Sequence, residues 1–178
     1  SHHRGRPEWL PQIAAFGPPA EGPKALRVAG AANGDLSTAG ALRGGADQAA
    51  DWLRENGFRA TALEVPEAED APISITPFWA VKGCNRAWLD QQNDVTVKDV
   101  KLAHQENFVS VEHLKRYTTL GMATDQGKTS NMGGLAIMAE LTGKTIPEVG
   151  TTIFRPPYTP TSIGVLGGRA RGQAFHPK

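Results

Sequence analysis

The stretch GMATDQGKTS, residues 121–130, carries residue types that bind phosphate: Gly127, Lys128 and Thr129 stand in the order that ends a nucleotide-triphosphate loop. That loop requires Gly-x-x-x-x-Gly-Lys-[Ser/Thr], entered from a buried strand and left by a helix, because only that length turns successive backbone N–H groups onto one phosphate. The upstream glycine belongs at position 122, which is Met122, and Gly121 comes one place early. The entry is also wrong: SVEHLKRYTTLG, 110–121, reads as a helix with Ser110 as N-cap, Val111, Leu114 and Tyr117 on one stripe and Gly121 as C-cap. A triphosphatase is therefore set aside. Two readings of the loop remain open. Thr124, Gln126, Lys128, Thr129 and Ser130, fed by His113, Lys115 and Arg116, offer many donors ahead of the next helix N-terminus, which suits an anion or a flavin phosphate. Alternatively the same hydroxyls cap the flanking helices.

Other chemistries find no support in spacing. The five histidines, at 2, 3, 104, 113 and 176, are too scattered for a metal-ligand set. Asp90, Asp94 and Glu106 fall on separate elements, and no Ser/His/Asp arrangement is present, so no catalytic residue and no metal ligand is predicted. Cys84 is the one cysteine, which excludes a disulfide framework and reads as a small packed residue. With a net charge of +1 the chain does not call for a polyanion. Arg155, Arg169, Arg171 and Lys178 near the end lack regular aromatic interleaving, so nucleic acid is not expected. No apolar run of about 18 residues is present, so no membrane span is predicted, and no signal peptide is visible.

The elements that must position the loop follow from periodicity and punctuation. The 178 residues suit one domain or pieces of two. Leu26, Val28 and Ala29 form a short apolar run ending in small residues at Gly34, the pattern of a buried parallel strand. A helix is predicted over 37–57, capped by Ser37 or Thr38 and closed by Gly57. Strand, small-residue turn and helix together match the phosphate-facing corner of a dinucleotide domain, or a tight junction that needs small side chains for packing. Residues 60–79 are acidic and Pro-containing, a linker with a boundary between 65 and 77. Beyond residue 80 the chain reads as helical: a turn at Asn93-Asp94, a capping-box-like start at Thr96 and Asp99, the helix over 110–120, and a buried helix over 133–143 opened by Ser130 or Asn131. The expected fold is an α/β remnant of a dinucleotide-binding domain (1–65), a linker (66–79), a small mainly α-helical connector (80–154) and a further linker (155–178).

The run QNDVTVKDVKLAHQENFVSVEHLKRYTTLGMATDQGKTSNMGGLAI, 92–137, resembles the α subunit of heterotetrameric sarcosine oxidase. HRGRPEW at 3–9, VAGAANGDLSTAGAL at 28–42 and RPPYTPTSIGVLGGRARGQAFHP at 155–177 are similar to further segments of that family. Departures are few: Gln91-Gln92 replaces the usual Phe-Gln, Trp88-Leu89 replaces Phe-Val, and Gly5-Arg6 lacks a second glycine. The resemblance implies an internal piece of a longer cytoplasmic subunit, with a folate-binding, aminomethyltransferase-like domain downstream. It implies sarcosine oxidation at FAD in a β subunit, electron transfer through FMN to oxygen, and delivery of the methylene unit to tetrahydrofolate. Implied partners are the rest of the α subunit, the β subunit, small γ and δ subunits and the amine substrate. Carried over by position, Ala31, Leu36 and Thr38 would touch NAD, and Thr124, Gln126, Lys128, Thr129 and Ser130 would face FMN or the β subunit. A non-catalytic assembly module of a related N-methyl amine or opine oxidoreductase is the alternative.

Overall fold

The computed structural model describes residues 5–23, 26–61, 63–70, 73, 75–153 and 161–169. The chain divides into two compact units, Ser1–Phe78 and Trp79–Lys178.

In the first unit, β1 (Glu8–Leu10) and β2 (Ala15–Gly17) form an antiparallel hairpin with Trp9 opposite Phe16. Those two rings meet edge to face at 5.2 Å, an arrangement that suits their opposed quadrupoles. A 3-10 turn at Gly30–Asn33 leads into α1 (Thr38–Glu55). Ser37 caps α1 by accepting the Gly40 N–H, as its short hydroxyl side chain predicts. At the far end Trp52 stacks on Phe58 at 6.5 Å. Only Ala39 of α1 is buried.

The strand expected over 26–29 is not formed. A parallel strand has to pair its backbone with neighbours on both sides. Among the described residues none supplies that ladder; Leu26 is 53% exposed, and the two-stranded hairpin is the sole sheet of this unit. Among the described residues this unit holds a helix with one hairpin, so the α/β expectation is met in part, without its parallel strand. The predicted helix is found at α1, two residues shorter at its C-terminal end than expected.

The second unit opens with β3 (Trp88–Asp90) and β4 (Val95–Thr96), a hairpin that the sequence showed only as a turn. Asp94 takes a left-handed backbone, φ 56, to make the reversal. Four helices of note follow: α2 (Val97–Gln105), α3 (Val111–Thr118), α4 (Asn131–Thr142) and the short α5 (Ile146–Val149). A single turn, α6 (Ile163–Leu166), lies beyond. The capping box at Thr96 and Asp99 is complete, and a second one, Thr145 with Glu148, starts α5 with a proline in its first turn. Helix α4 is buried from Gly134 through Ala139 and packs against α2, α3 and α5. Val95, Val100, Ala103, Val111, Leu114 and Leu120 complete the core around it.

Two local expectations need correction. Helix α3 ends at Thr119, which itself adopts the left-handed cap conformation at φ 62, so Gly121 lies beyond the cap. Tyr117 is not on the buried stripe: it is 42% exposed and stacks on Phe108 at 4.4 Å, while its hydroxyl donates to Glu106. An amphipathic ring with a polar tip is served by that half-buried position. Cys84 is exposed rather than packed, its thiol donating to the Val81 carbonyl at 3.1 Å.

Candidate functional site

The loop between α3 and α4 is organised by two carboxylates. Asp90, 3% exposed at the end of β3, accepts the N–H groups of Gln92 (2.9 Å) and Asn93 (3.3 Å) with one oxygen and that of Gly121 (2.8 Å) with the other. It therefore ties the hairpin to the start of the loop. Asn93 adds a second tie, donating its amide to the Thr119 carbonyl at 2.9 Å. Asp125 accepts the Gly127 N–H (3.1 Å), the Thr129 N–H (3.4 Å) and the Thr129 hydroxyl (2.8 Å). Between them the backbone folds tightly: Gly127 has φ +76, and a Cβ there would lie 2.3 Å from the Asn131 amide. Only glycine meets both demands.

The predicted residues of this loop do not all face outward. Thr124, Lys128 and Thr129 are exposed and Gln126 is half-buried. The Thr124 hydroxyl reaches the Gln92 side chain at 3.0 Å, and the Gln126 amide donates to the Ala123 carbonyl at 3.1 Å. Ser130 is 2% exposed, and its Oγ and the Oδ1 of Asn131 are buried without a hydrogen-bond partner among the described residues. Buried polar atoms are nearly always paired, so this junction retains unused polar capacity at the N-terminal end of α4. Two of the three basic residues expected to feed the loop point elsewhere. Lys115 is buried and donates to the Ile153 carbonyl, and Arg116 pairs with Glu112.

Burial alone would raise the Asp125 carboxyl, but the hydrogen bonds from Gly127 and Thr129, with Lys128 nearby, outweigh it and hold the group below its usual range. A carboxyl lowered in the folded state contributes stability that is present above its unfolded value of about 4 and is lost as pH falls through the folded value. Asp125→Asn is accordingly expected to cost about 1 kcal/mol at pH 7, with the difference from the parent shrinking below about pH 4. Urea unfolding at pH 7 and pH 3 checks this, and a difference independent of pH would contradict it.

In the first unit, Ala31, Leu36 and Thr38 are brought together around the 3-10 turn and the start of α1, all three exposed. The small residues there serve the backbone's own packing. A Cβ on Gly40 would lie 1.9 Å from the Asp35 carboxylate, which accepts the Ser37 N–H (3.0 Å) and hydroxyl (2.8 Å). The N–H groups of Thr38 and Ala39 are taken by the two oxygens of Asp70, at 2.5 and 2.8 Å. A cavity of 780 Å³ lies beside the β1–β2 hairpin, lined by Leu10, Pro23, Arg27 and Glu55 among others; Ala31, Leu36 and Thr38 are not in its wall. Sequence reasoning missed Asp70, Asp90 and Asp125. The Asp125-x-Gly127 spacing was a usable turn signal, whereas nothing in the sequence marks the Thr38 and Ala39 partners of Asp70 or the Gly121 partner of Asp90, which lie 31 or 32 residues away.

Among the described residues no group of three His, Cys, Asp or Glu could hold a metal ion, and no helix is long and apolar enough to cross a membrane. Residues 84–169 match the sarcosine oxidase A3 domain family. The chain is 43% identical over 179 residues to the sarcosine oxidase subunit alpha of Rhizobium meliloti (strain 1021), covering 99% of this chain and 18% of the relative. It is 40% and 39% identical to the corresponding subunits of Corynebacterium sp. strains U-96 and P-1, again over 99% of this chain and 19% of theirs. A solved structure of L-proline dehydrogenase from P. horikoshii is similar in fold, with a TM-score of 0.62 at 24% identity over 81% of this chain and 31% of that one. The chain spans about a fifth of the length of the curated relatives it matches, and its residues 84–169 belong to the sarcosine oxidase A3 domain family.

Proposed function

We propose that the chain is part of the α subunit of a multi-subunit flavoprotein that oxidises sarcosine to glycine in the cytoplasm. The observation that carries this reading is the 39–43% identity to sarcosine oxidase α subunits along 99% of the chain. In the whole heterotetramer FAD and FMN supply the electron path to oxygen, and tetrahydrofolate takes the methylene unit. The remainder of the α subunit and the β, γ and δ subunits are the partners.

The α3–α4 loop is read as a wall of the FMN site at the β-subunit interface. Thr124, Gln126, Lys128 and Thr129 offer it polar surface, and the unpaired Ser130 hydroxyl beneath them is compatible with a further polar contact. Lys128 contributes positive charge suited to a flavin phosphate or the N1 side of its ring. In the first unit Ala31, Leu36 and Thr38 form a small, exposed surface suited to NAD. Replacing Lys128 by methionine in the assembled enzyme is expected to lower FMN occupancy or slow electron transfer between the flavins severalfold. Flavin content and stopped-flow reduction measure both, and unchanged values would reject the FMN role.

One observation favours the second reading, an assembly module of a related N-methyl amine or opine oxidoreductase. Asp90 and Asp125 spend the loop's N–H groups on its own fold, which suits a rigid contact surface as well as a ligand site. Retained flavin with loss of subunit association in the Lys128 variant would support it.

A further inference from the structure

Helix α4 begins on a serine that does not cap it. Ser130 stands at its N-cap, yet the backbone there is helical (φ −114, ψ −31) and the side chain makes no cap bond. The first N–H groups of a helix have no partner within it. The Asn131 N–H goes to the Gly127 carbonyl at 3.0 Å and the Gly134 N–H to the Ser130 carbonyl at 3.2 Å; among the described residues none is found to accept the N–H groups of Met132 and Gly133 between them. Beside these donors lie two buried polar atoms without a partner, the Ser130 hydroxyl, on a residue 2% exposed, and the Asn131 Oδ1. Two glycines keep side chains away from that carboxamide. A Cβ on Gly121 would lie 2.3 Å from Oδ1, and one on Gly127 would lie 2.3 Å from both its oxygen and its nitrogen.

We propose that this end of α4 meets the flavin by the pyrimidine edge of its ring rather than by its phosphate, with the Ser130 hydroxyl and the start of α4 donating to ring carbonyl oxygens and Asn131 Oδ1 accepting the ring N–H between them. The proposal rests on the reading of the α3–α4 loop as a wall of the FMN site and says which part of the flavin that wall holds. Complementarity decides for the ring. Its edge presents an acceptor, a donor and an acceptor in a neutral group, and the chain offers donors around one acceptor. A phosphate brings acceptor oxygens and negative charge, which leave Oδ1 unpaired. Asp125 also sets a carboxylate on the Thr129 N–H at 3.4 Å, one residue before Ser130, where it repels a phosphate. Negative charge that reduction places on this edge of a flavin is favoured by the positive end of α4 and by Lys128. Both unpaired atoms are covered in the chain by itself. Gly121 and Gly127, at φ 69 and 76, are where the loop yields to admit the ring.

The test is a redox titration of the assembled enzyme against a reference dye, with FMN content and thermal midpoint measured alongside, in the parent and in Ser130→Ala, Asn131→Asp and Lys128→Met. Ser130→Ala is expected to keep the midpoint and the FMN content, because its hydroxyl has no partner among the described residues. It should shift the reduction equilibrium of the FMN about fivefold towards the oxidised form, the effect of one lost hydrogen bond. Asn131→Asp keeps an acceptor but adds a negative charge beside the ring, and its shift in the same direction should be larger, about tenfold. No shift in either variant overturns the ring-edge contact. If Lys128→Met then still lowers FMN content, the FMN reading stands with the phosphate at the loop. If Lys128→Met changes neither the content nor the equilibrium, the FMN reading falls as well.

Discussion

Replacing Asp90 by alanine is expected to destabilise the second unit by about 3 kcal/mol. Its carboxylate is 3% exposed and accepts three backbone N–H groups, from Gln92, Asn93 and Gly121. Truncation leaves those donors facing an apolar methyl, and Gly121 is itself buried, so water does not readily replace what is lost. For a unit of this size such a loss lowers the thermal midpoint by about 12–20 °C. Asparagine keeps the shape and one acceptor oxygen, but its NH2 must then meet one of the N–H donors. It should recover about half of the loss. Thermal unfolding followed by circular dichroism measures both variants. An Asp90→Ala midpoint within about 3 °C of the parent would show that the hairpin and the α3–α4 loop do not depend on this tie. Under the proposed function the same variant should also lose FMN, because it releases the loop that carries Thr124 and Lys128.

Met138→Ala is expected to cost about 3 kcal/mol by a different route, the opening of a cavity in a packed interior. Met138 is 0% exposed, at the middle of α4, the helix that touches α2, α3 and α5. Its neighbours Ile137 and Ala139 are buried too, so little can move in to fill the space. Met138→Leu conserves volume and should cost less than about 1.5 kcal/mol. Chemical denaturation distinguishes the two, and equal small costs for both would mean that the core collapses freely around α4. Neither replacement alters a polar group of the loop, so flavin content should fall only in proportion to the unfolded fraction.

What the sequence determined by itself is local or patterned. Ser37 before a small-residue helix and Thr96 three residues ahead of Asp99 mark helix starts through contacts within four residues, and both are present. The apolar girth of 133–143 placed a helix whose residues 134–139 are buried, since a helix with little polar face has nowhere else to go. The 92–137 run identified the family outright, because a long ordered string of identities does not depend on geometry. Tertiary structure alone decided the rest. The apolar run at 26–29 carries the composition of a strand, but a strand exists only when neighbours pair with it, and none among the described residues does. Lys115 and Arg116 had the right charge for an anion site, yet α3 turns the one to Ile153 and the other to Glu112. Asp70 and Asp90 looked like ordinary surface acids in the sequence. Each became an organiser because folding brought its oxygens to backbone N–H groups about thirty residues away, and a carboxylate gains its role from the donors around it.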